Sequence, residues 1–301
     1  MMKKIICLLI TGVMLITSCT KEEELGDSLI DTSTPQLNPI DQWIRDNYTT
    51  PYNIEVKYRW DDSELDNSRP LTPPEVDRVI PFLESIKELW IEPYIIHGGA
   101  DFVKTYIPKL IVLVGSHNYN ANGSIVLGQA EGGRKITIFD LNYMEEDDDK
   151  ELLSSLKTIH HEFAHILHQK VVYPVEYQEL TPSYTTTWFN FSNKEALSKG
   201  FITPYSMKSP DEDFVEMASE FLLRSKADWN ALIDGIQVYK LDEYGNPIFD
   251  WTTFTYVIDE EKTNKAKSLL REKQDIMINY FLQVWNIDMY NLQEEIANRL
   301  P

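Results

Sequence analysis

Cysteine is nearly absent from these 301 residues, and the two present, Cys7 and Cys19, both lie at the N-terminal end. From residue 20 onward no disulfide can form within the chain, so a domain built there depends on its apolar core. Basic charge is also scarce: 28 Lys and Arg stand against 48 Asp and Glu, a formal charge of -20. So acidic a surface repels phosphate backbones, and no nucleic acid partner is expected. No internal repeat is visible. The apolar run Ile5–Ile16 is too short to span a bilayer as a stable helix, which takes about 20 residues. What the chain does have is core material. With 43% hydrophobic and 12% aromatic residues it can bury one large or two modest domains.

The apolar run follows Lys3-Lys4 and ends at Ile16-Thr17-Ser18-Cys19, which looks like a bacterial lipoprotein cleavage box. Residues 1–18 then read as a signal peptide and Cys19 as the lipidated N-terminus. Removing Lys3 and Lys4 takes the formal charge from -20 to -22. Thr20-Lys21-Glu22-Glu23-Glu24 resembles the short acidic signal that sends Bacteroidetes-type lipoproteins to the exterior face of the outer membrane. A simple solvated linker has the same composition. Residues 19–38 read as a tether and residues 39–301 as the folded domain. Membrane contact is expected through the N-terminal lipid only.

Periodicity predicts helices at Asp41–Tyr48, Glu75–Trp90, and from Gly98-Gly99 to about Ile107, with strands at Tyr52–Trp60 and Lys109–Val114. Strands around Ser124–Leu127 and Lys135–Phe139 flank Gly132-Gly133 and predict a hairpin. Acidic Glu145–Asp149 leads into a long helix, where negative charge suits the N-terminus; it lacks the glycine and alternation of a calcium loop. Helices at about 194–199, 210–224, 227–233, 259–284 and 287–299 fill the rest.

Within the long helix stands His161-Glu162-Phe163-Ala164-His165. Side chains four residues apart share a helix face, so both imidazoles can reach one ion. Glu162 points off to the side, where a carboxylate can take a proton from water at a metal without ligating it. Leu152, Leu156, Ile159, Phe163 and Ile166 form an apolar stripe, with His161, His165 and His168 roughly opposite. An ordinary solvated face is the plainer reading of that second side.

A catalytic zinc site takes three protein ligands and leaves one position open. The metzincin continuation would need Gly and His at the places held by His168 and Val171, and is excluded. Ser209-Pro210-Asp211-Glu212-Asp213-Phe214-Val215-Glu216 offers a carboxylate instead. Ser209 and Glu212, with Pro210 at the first helical position, also make a capping box, in which Glu212 would bind only backbone. Yet Glu212, Glu216 and Glu220 repeat at four-residue steps, and like charges so placed need a facing cation. Glu212 is read as the third zinc ligand and Glu216 as the group orienting a histidine, with Asp213 or Glu216 as alternative ligands.

His161-Glu162-x-x-His165 followed by Glu212-x-x-x-Glu216 resembles the gluzincin arrangement. The long gap, and Tyr205 seven residues before Glu212, are more like anthrax lethal factor than thermolysin. That resemblance implies that Tyr205 hydrogen-bonds the oxyanion. His168 departs from it, an acid standing there in lethal factor; it is a supporting group, a substrate contact or a solvated histidine. The whole chain after the signal, at motif level over residues 159–170 and 205–220 and in general character elsewhere, also resembles the zinc-binding metallopeptidase family of Bacteroidetes lipoproteins described as substrate import-associated zinc metallohydrolases. It implies an outer-membrane transporter and a surface lipoprotein as partners.

The expected fold is therefore α+β and zincin-like, with a small mixed sheet, an active-site helix and a largely helical C-terminal half. The expected function is hydrolysis of a peptide or protein with one Zn²⁺ on His161, His165 and Glu212, Glu162 as general base and Tyr205 as oxyanion donor. The Lys135–Phe139 strand is expected to edge the cleft. A binding lipoprotein that keeps the metal helix as structure, and a zinc hydrolase of glycoconjugates, are the competing readings. The adjacent base argues against the first, since structural zinc needs none.

Overall fold

Leu110-Ile111-Val112-Leu113 has no polar alternation, and such a strand is stable only when covered on both faces. It forms the interior of the sheet. The computed structural model describes residues 37–119, 123, 125–126, 128–131, 134–144 and 149–300. Its strands are β1 (Glu55–Lys57), β2 (Leu110–Leu113), β3 (Asn118–Tyr119), β4 (Ile125–Val126), β5 (Gly128–Glu131) and β6 (Lys135–Ile138). Four of them make a mixed sheet in the order β1-β2-β6-β5, with β1, β2 and β6 parallel and β5 antiparallel to β6. β3 and β4 pair separately as an antiparallel ribbon.

This pairing corrects the expected hairpin. β6 takes β5 as its partner, with Glu131 opposite Lys135, while Ile125 and Val126 turn back onto Tyr119 and Asn118. Three residues separate Glu131 from Lys135 in the sequence, whereas a partner strand ending at residue 127 would leave seven. Ser124, Leu127, Gly132 and Gly133 lie outside the described residues. As a result Lys135–Ile138 is an interior strand rather than the expected cleft edge, and β5 is the edge.

β5 lies against the long helix α1 (Asp149–Lys170). A Cβ at Gly128 would fall 2.2 Å from Thr158 Cγ2 on that helix, so only glycine allows this approach. Of the expected stripe, Leu156, Ile159, Phe163 and Ile166 are buried and Leu152 is half-buried. Phe163 is met edge-on by Trp90, Tyr94 and Phe102 at 5.6, 5.0 and 6.1 Å. The opposite side of α1 is not a solvated face: His161 and His168 are buried there as well. Glu145 to Asp148, at the helix start, are outside the described residues.

What covers that side is α2 (Pro210–Leu222), which packs between α1, α3 (Glu260–Trp285) and α4 (Met289–Ala297). Every residue of α2 from Asp213 to Leu222 is buried. A helix enclosed all round can carry charge only where a partner meets it. Asp213 meets Lys273 of α3, and both side chains are fully buried. Lys273 also donates to the Gly200 carbonyl at 2.8 Å, and its ammonium lies 4.2 Å from the Phe201 ring centre. Asp213 accepts a second bond from Tyr184 at 3.1 Å.

The C-terminal half is otherwise helical as expected, with Asn193–Ser198 and Lys226–Asp234 completing the set. Elements that were not anticipated include a helix at Glu176–Leu180 and a ribbon of β7 (Phe249–Asp250) with β8 (Thr255–Tyr256). Contacts group Pro39–Pro301 into one unit. The expected signal peptide, Cys19 and nearly all of the tether lie outside the described residues. No helix among the described residues is long and apolar enough to cross a membrane.

Lys273→Ala should strand the Asp213 carboxylate without its cation. The unfolding free energy from urea titration is expected to fall by about 3–5 kcal/mol; an unchanged midpoint would show that the pair does not hold α2 to α3.

Candidate metal centre

Helix geometry brings the His161 and His165 rings to 4.9 Å, centre to centre, on the face of α1 that α2 covers. The N-terminus of α2 is set by Ser209, whose hydroxyl accepts from the Glu212 N–H at 3.3 Å, with Pro210 following. Only half of the capping box forms. The Glu212 carboxylate turns away from Ser209 and reaches α1, where Oε2 lies 3.1 Å from His161 Nε2 and 3.3 Å from His165 Nε2.

The other nitrogen of each ring is also engaged. His161 Nδ1 lies 2.9 Å from Glu216 Oε1, and His165 Nδ1 lies 2.9 Å from His168 Nε2. Glu216 is itself held by Lys157 at 3.0 Å and by the Thr203 hydroxyl at 2.5 Å, both on Oε2. His168 sits among Tyr173 and Phe214, where burial, then the nearby His165, lowers its pKa to about 4. A neutral His168 can accept the Nδ1–H of His165. Each Nε2 is thereby left to face Glu212.

His161, His165 and Glu212 can therefore offer three ligand atoms that lie within 4.8 Å of one another. Bonds of roughly 2.0–2.1 Å at tetrahedral angles put ligand atoms about 3.3 Å apart. The separations of 3.1 and 3.3 Å from Glu212 Oε2 to the imidazoles match that edge, so the donor set fits a zinc ion in size as well as in chemistry. The support of both rings from behind is what histidine ligands require. Asp213 is excluded from the ligand set, since it faces α3 and is bound to Lys273.

Charge in the centre is strongly coupled. Burial works to lower the His161 pKa, but hydrogen bonds that it donates to Glu212 and Glu216 outweigh it and raise it to about 9. Burial likewise works to raise Glu216, and the His161 bond and the Lys157 charge hold it down at about 2. Glu212 is held well below the usual carboxylate range, its burial overcome by His161, His165 and Lys208. The carboxylate ladder is answered by more than a metal. Lys157 bridges Glu216 and Glu220, at 3.0 and 2.7 Å, Arg224 pairs with Glu220, and Lys208 lies 2.6 Å from Glu212. The repeat of like charges thus has protein cations facing it at every step, and on its own does not call for an ion.

In front of His161, His165 and Glu212 opens a cavity of about 610 Å³, whose wall includes Glu162, Tyr205, Lys208, Trp188 and, from β5, Gly128 and Gln129. Tyr205 reaches Glu212 Oε1 at 3.2 Å and stands edge-on to Trp188 at 4.9 Å. Its phenol pKa is raised, by burial first and by Glu212 second. Lys157, Thr203, Lys208 and Gln129 were not singled out in the sequence. Lys157 was within reach of spacing alone, because it is one turn before His161 on α1, whereas Lys208 lies outside α2, before the extended N-cap Ser209.

The family described as "Putative zinc-binding metallo-peptidase" matches residues 33–290. The chain belongs to that family. A crystal structure of a "putative zinc-binding metallo-peptidase" from Bacteroides caccae ATCC 43185 is 32% identical to it, with a TM-score of 0.67, over 86% of this chain and 90% of that one. No protein with a curated description matches. The zinc-binding metallo-peptidase family accounts for the overall class of the site and of the α+β fold around it.

Two measurements probe the centre. Glu216→Gln keeps the size of the group but weakens its hold on His161, and zinc affinity by chelator competition is expected to drop about 10–100-fold; no drop would mean that Glu216 does not orient the ring. Because His161 carries a proton up to about pH 9, an ion binding its Nε2 must displace that proton. Calorimetry in buffers of different ionisation enthalpy should show release of about one proton per zinc near neutral pH, with affinity rising as pH rises. Zinc uptake without proton release would remove His161 from the ligand set.

Proposed function

We propose that the protein hydrolyses peptide bonds, with His161, His165 and Glu212 holding zinc. Bound zinc supplies Lewis acidity, polarising a carbonyl and lowering the pKa of water beside it. Everything else falls to the chain. Glu162, in the cavity wall next to His161, takes the proton of the attacking water and returns it to the leaving amine. Tyr205 keeps its proton at neutral pH and donates to the oxyanion, a contribution of about 2.7–4 kcal/mol where such donors have been removed. β5 is the sheet edge in the cavity wall, and an extended peptide pairing with it would lie across the ligand residues.

The observation that carries this reading is the position of Glu162. It is absent from the group of three possible ligands yet lines the cavity in front of them, which is the place of a base rather than of a fourth structural ligand. The family's description as metallo-peptidases supports the same choice over a binding module. The reading extends to the setting. Lys3-Lys4, Ile5–Ile16 and the box ending at Cys19 support a lipid anchor on the outer membrane, and Thr20–Glu24 supports its exterior face. Peptide or protein is then the substrate, and the resemblance to import-associated lipoproteins supports a transporter and a surface lipoprotein as neighbours.

Cleavage profiling of the purified full chain against a diverse peptide library tests the chemistry. Wild type is expected to cut a defined subset, Glu162→Gln to retain zinc and lose cleavage by about 10²–10⁴-fold, and His161→Ala to lose both. Equal behaviour of wild type and Glu162→Gln would favour the binding lipoprotein.

A further inference from the structure

Glu212 has two oxygens, and they do different things. Oε2 faces His161 Nε2 and His165 Nε2, while Oε1 is taken by Lys208 Nζ at 2.6 Å and the Tyr205 hydroxyl at 3.2 Å. Lys208 follows the short 3-10 turn Tyr205–Met207 and precedes α2. It lies three residues after Tyr205 and four before Glu212, a spacing that lets one ammonium meet both. Its Nζ also donates to the Tyr205 oxygen at 2.8 Å and stands 4.8 Å from that ring's centre.

We propose that Lys208 is a positioning residue of this centre: it reserves Oε1, so that Glu212 offers the ion a single oxygen, and it aims the Tyr205 hydroxyl. The inference rests on the zinc-hydrolase reading above. A carboxylate free to rotate can give both oxygens to an ion and fill the position that a substrate needs. Lys208 blocks that by drawing Oε1 away from the imidazoles. Its bond to the phenol has a second effect. A phenol oxygen that accepts from an ammonium still has its one proton to give, so the Tyr205 O–H is left to point at Glu212 or at a developing oxyanion. An ordinary surface pair would do neither, and the side chain is 43% exposed. Lys208 differs from such a pair in holding two groups of the site at once while forming part of the cavity wall.

The test uses the full chain loaded with cobalt(II), whose visible absorption is intense in four-coordinate sites and falls as the coordination number rises. Lys208→Met should release Oε1 and weaken the bands, and Lys208→Arg, which keeps the cation, should preserve them. On a peptide cut by wild type, Lys208→Met should lower kcat about 10–100-fold with little change in KM. In a Tyr205→Phe background the same change should cost clearly less, because part of its effect runs through the phenol. An unchanged cobalt spectrum in Lys208→Met overturns the proposal, as does a kcat loss that adds in full to that of Tyr205→Phe. Cobalt uptake by a wild type that cuts no peptide would count against the peptidase reading alone, since the spectrum needs no substrate.

Discussion

A buried carboxylate must be met by donors, and Glu216 is met by three, from His161 and Lys157 on α1 and from Thr203 in the approach to α2. This one group fixes how deeply α2 sits on α1 and how it is rotated. Glu212 lies one turn earlier on the same face, so the depth that satisfies Glu216 also delivers Glu212 to the two imidazoles. The centre is a by-product of helix packing in this sense: the geometry that relieves a buried charge is the geometry that gathers three possible ligands.

The second constraint comes from the sheet. Gly128 allows β5 to lie on α1 at Thr158, and this puts an edge strand beside the same helix face that carries the histidines. Among the elements that wall the cavity are three of separate origin, the β5 edge, the His-bearing face of α1 and the turn before α2. None of these holds the site alone. The side chains at their junction, such as Lys208, take their meaning from neighbours on more than one of them.

Much of this was legible in the sequence where local rules suffice. The four-residue spacing of His161 and His165, the apolar stripe from Leu156 to Ile166, and Ser209-Pro210 at a helix start each follow from the helical period or from capping chemistry. What escaped depended on pairing across distance. Strand register placed β5, not Lys135–Ile138, at the edge, and a weakly apolar Gly128–Glu131 carries no strong strand signal. The charge argument for Glu212, Glu216 and Glu220 identified a real demand for cations but missed that Lys157, Lys208 and Arg224 meet it. Asp213 could not be told from Glu212 by composition; the hundred-degree turn between neighbours on a helix sends one to α1 and the other to α3.

That opposition has a kinetic consequence. The ligand candidate Glu212 and the anchor residue Asp213 are consecutive, so the first turn of α2 is gripped from both sides, by the histidine pair and by Lys273. Loosening of that turn against α3 moves Glu212 away from the imidazoles, so amide exchange along the turn reports how often the three groups part company.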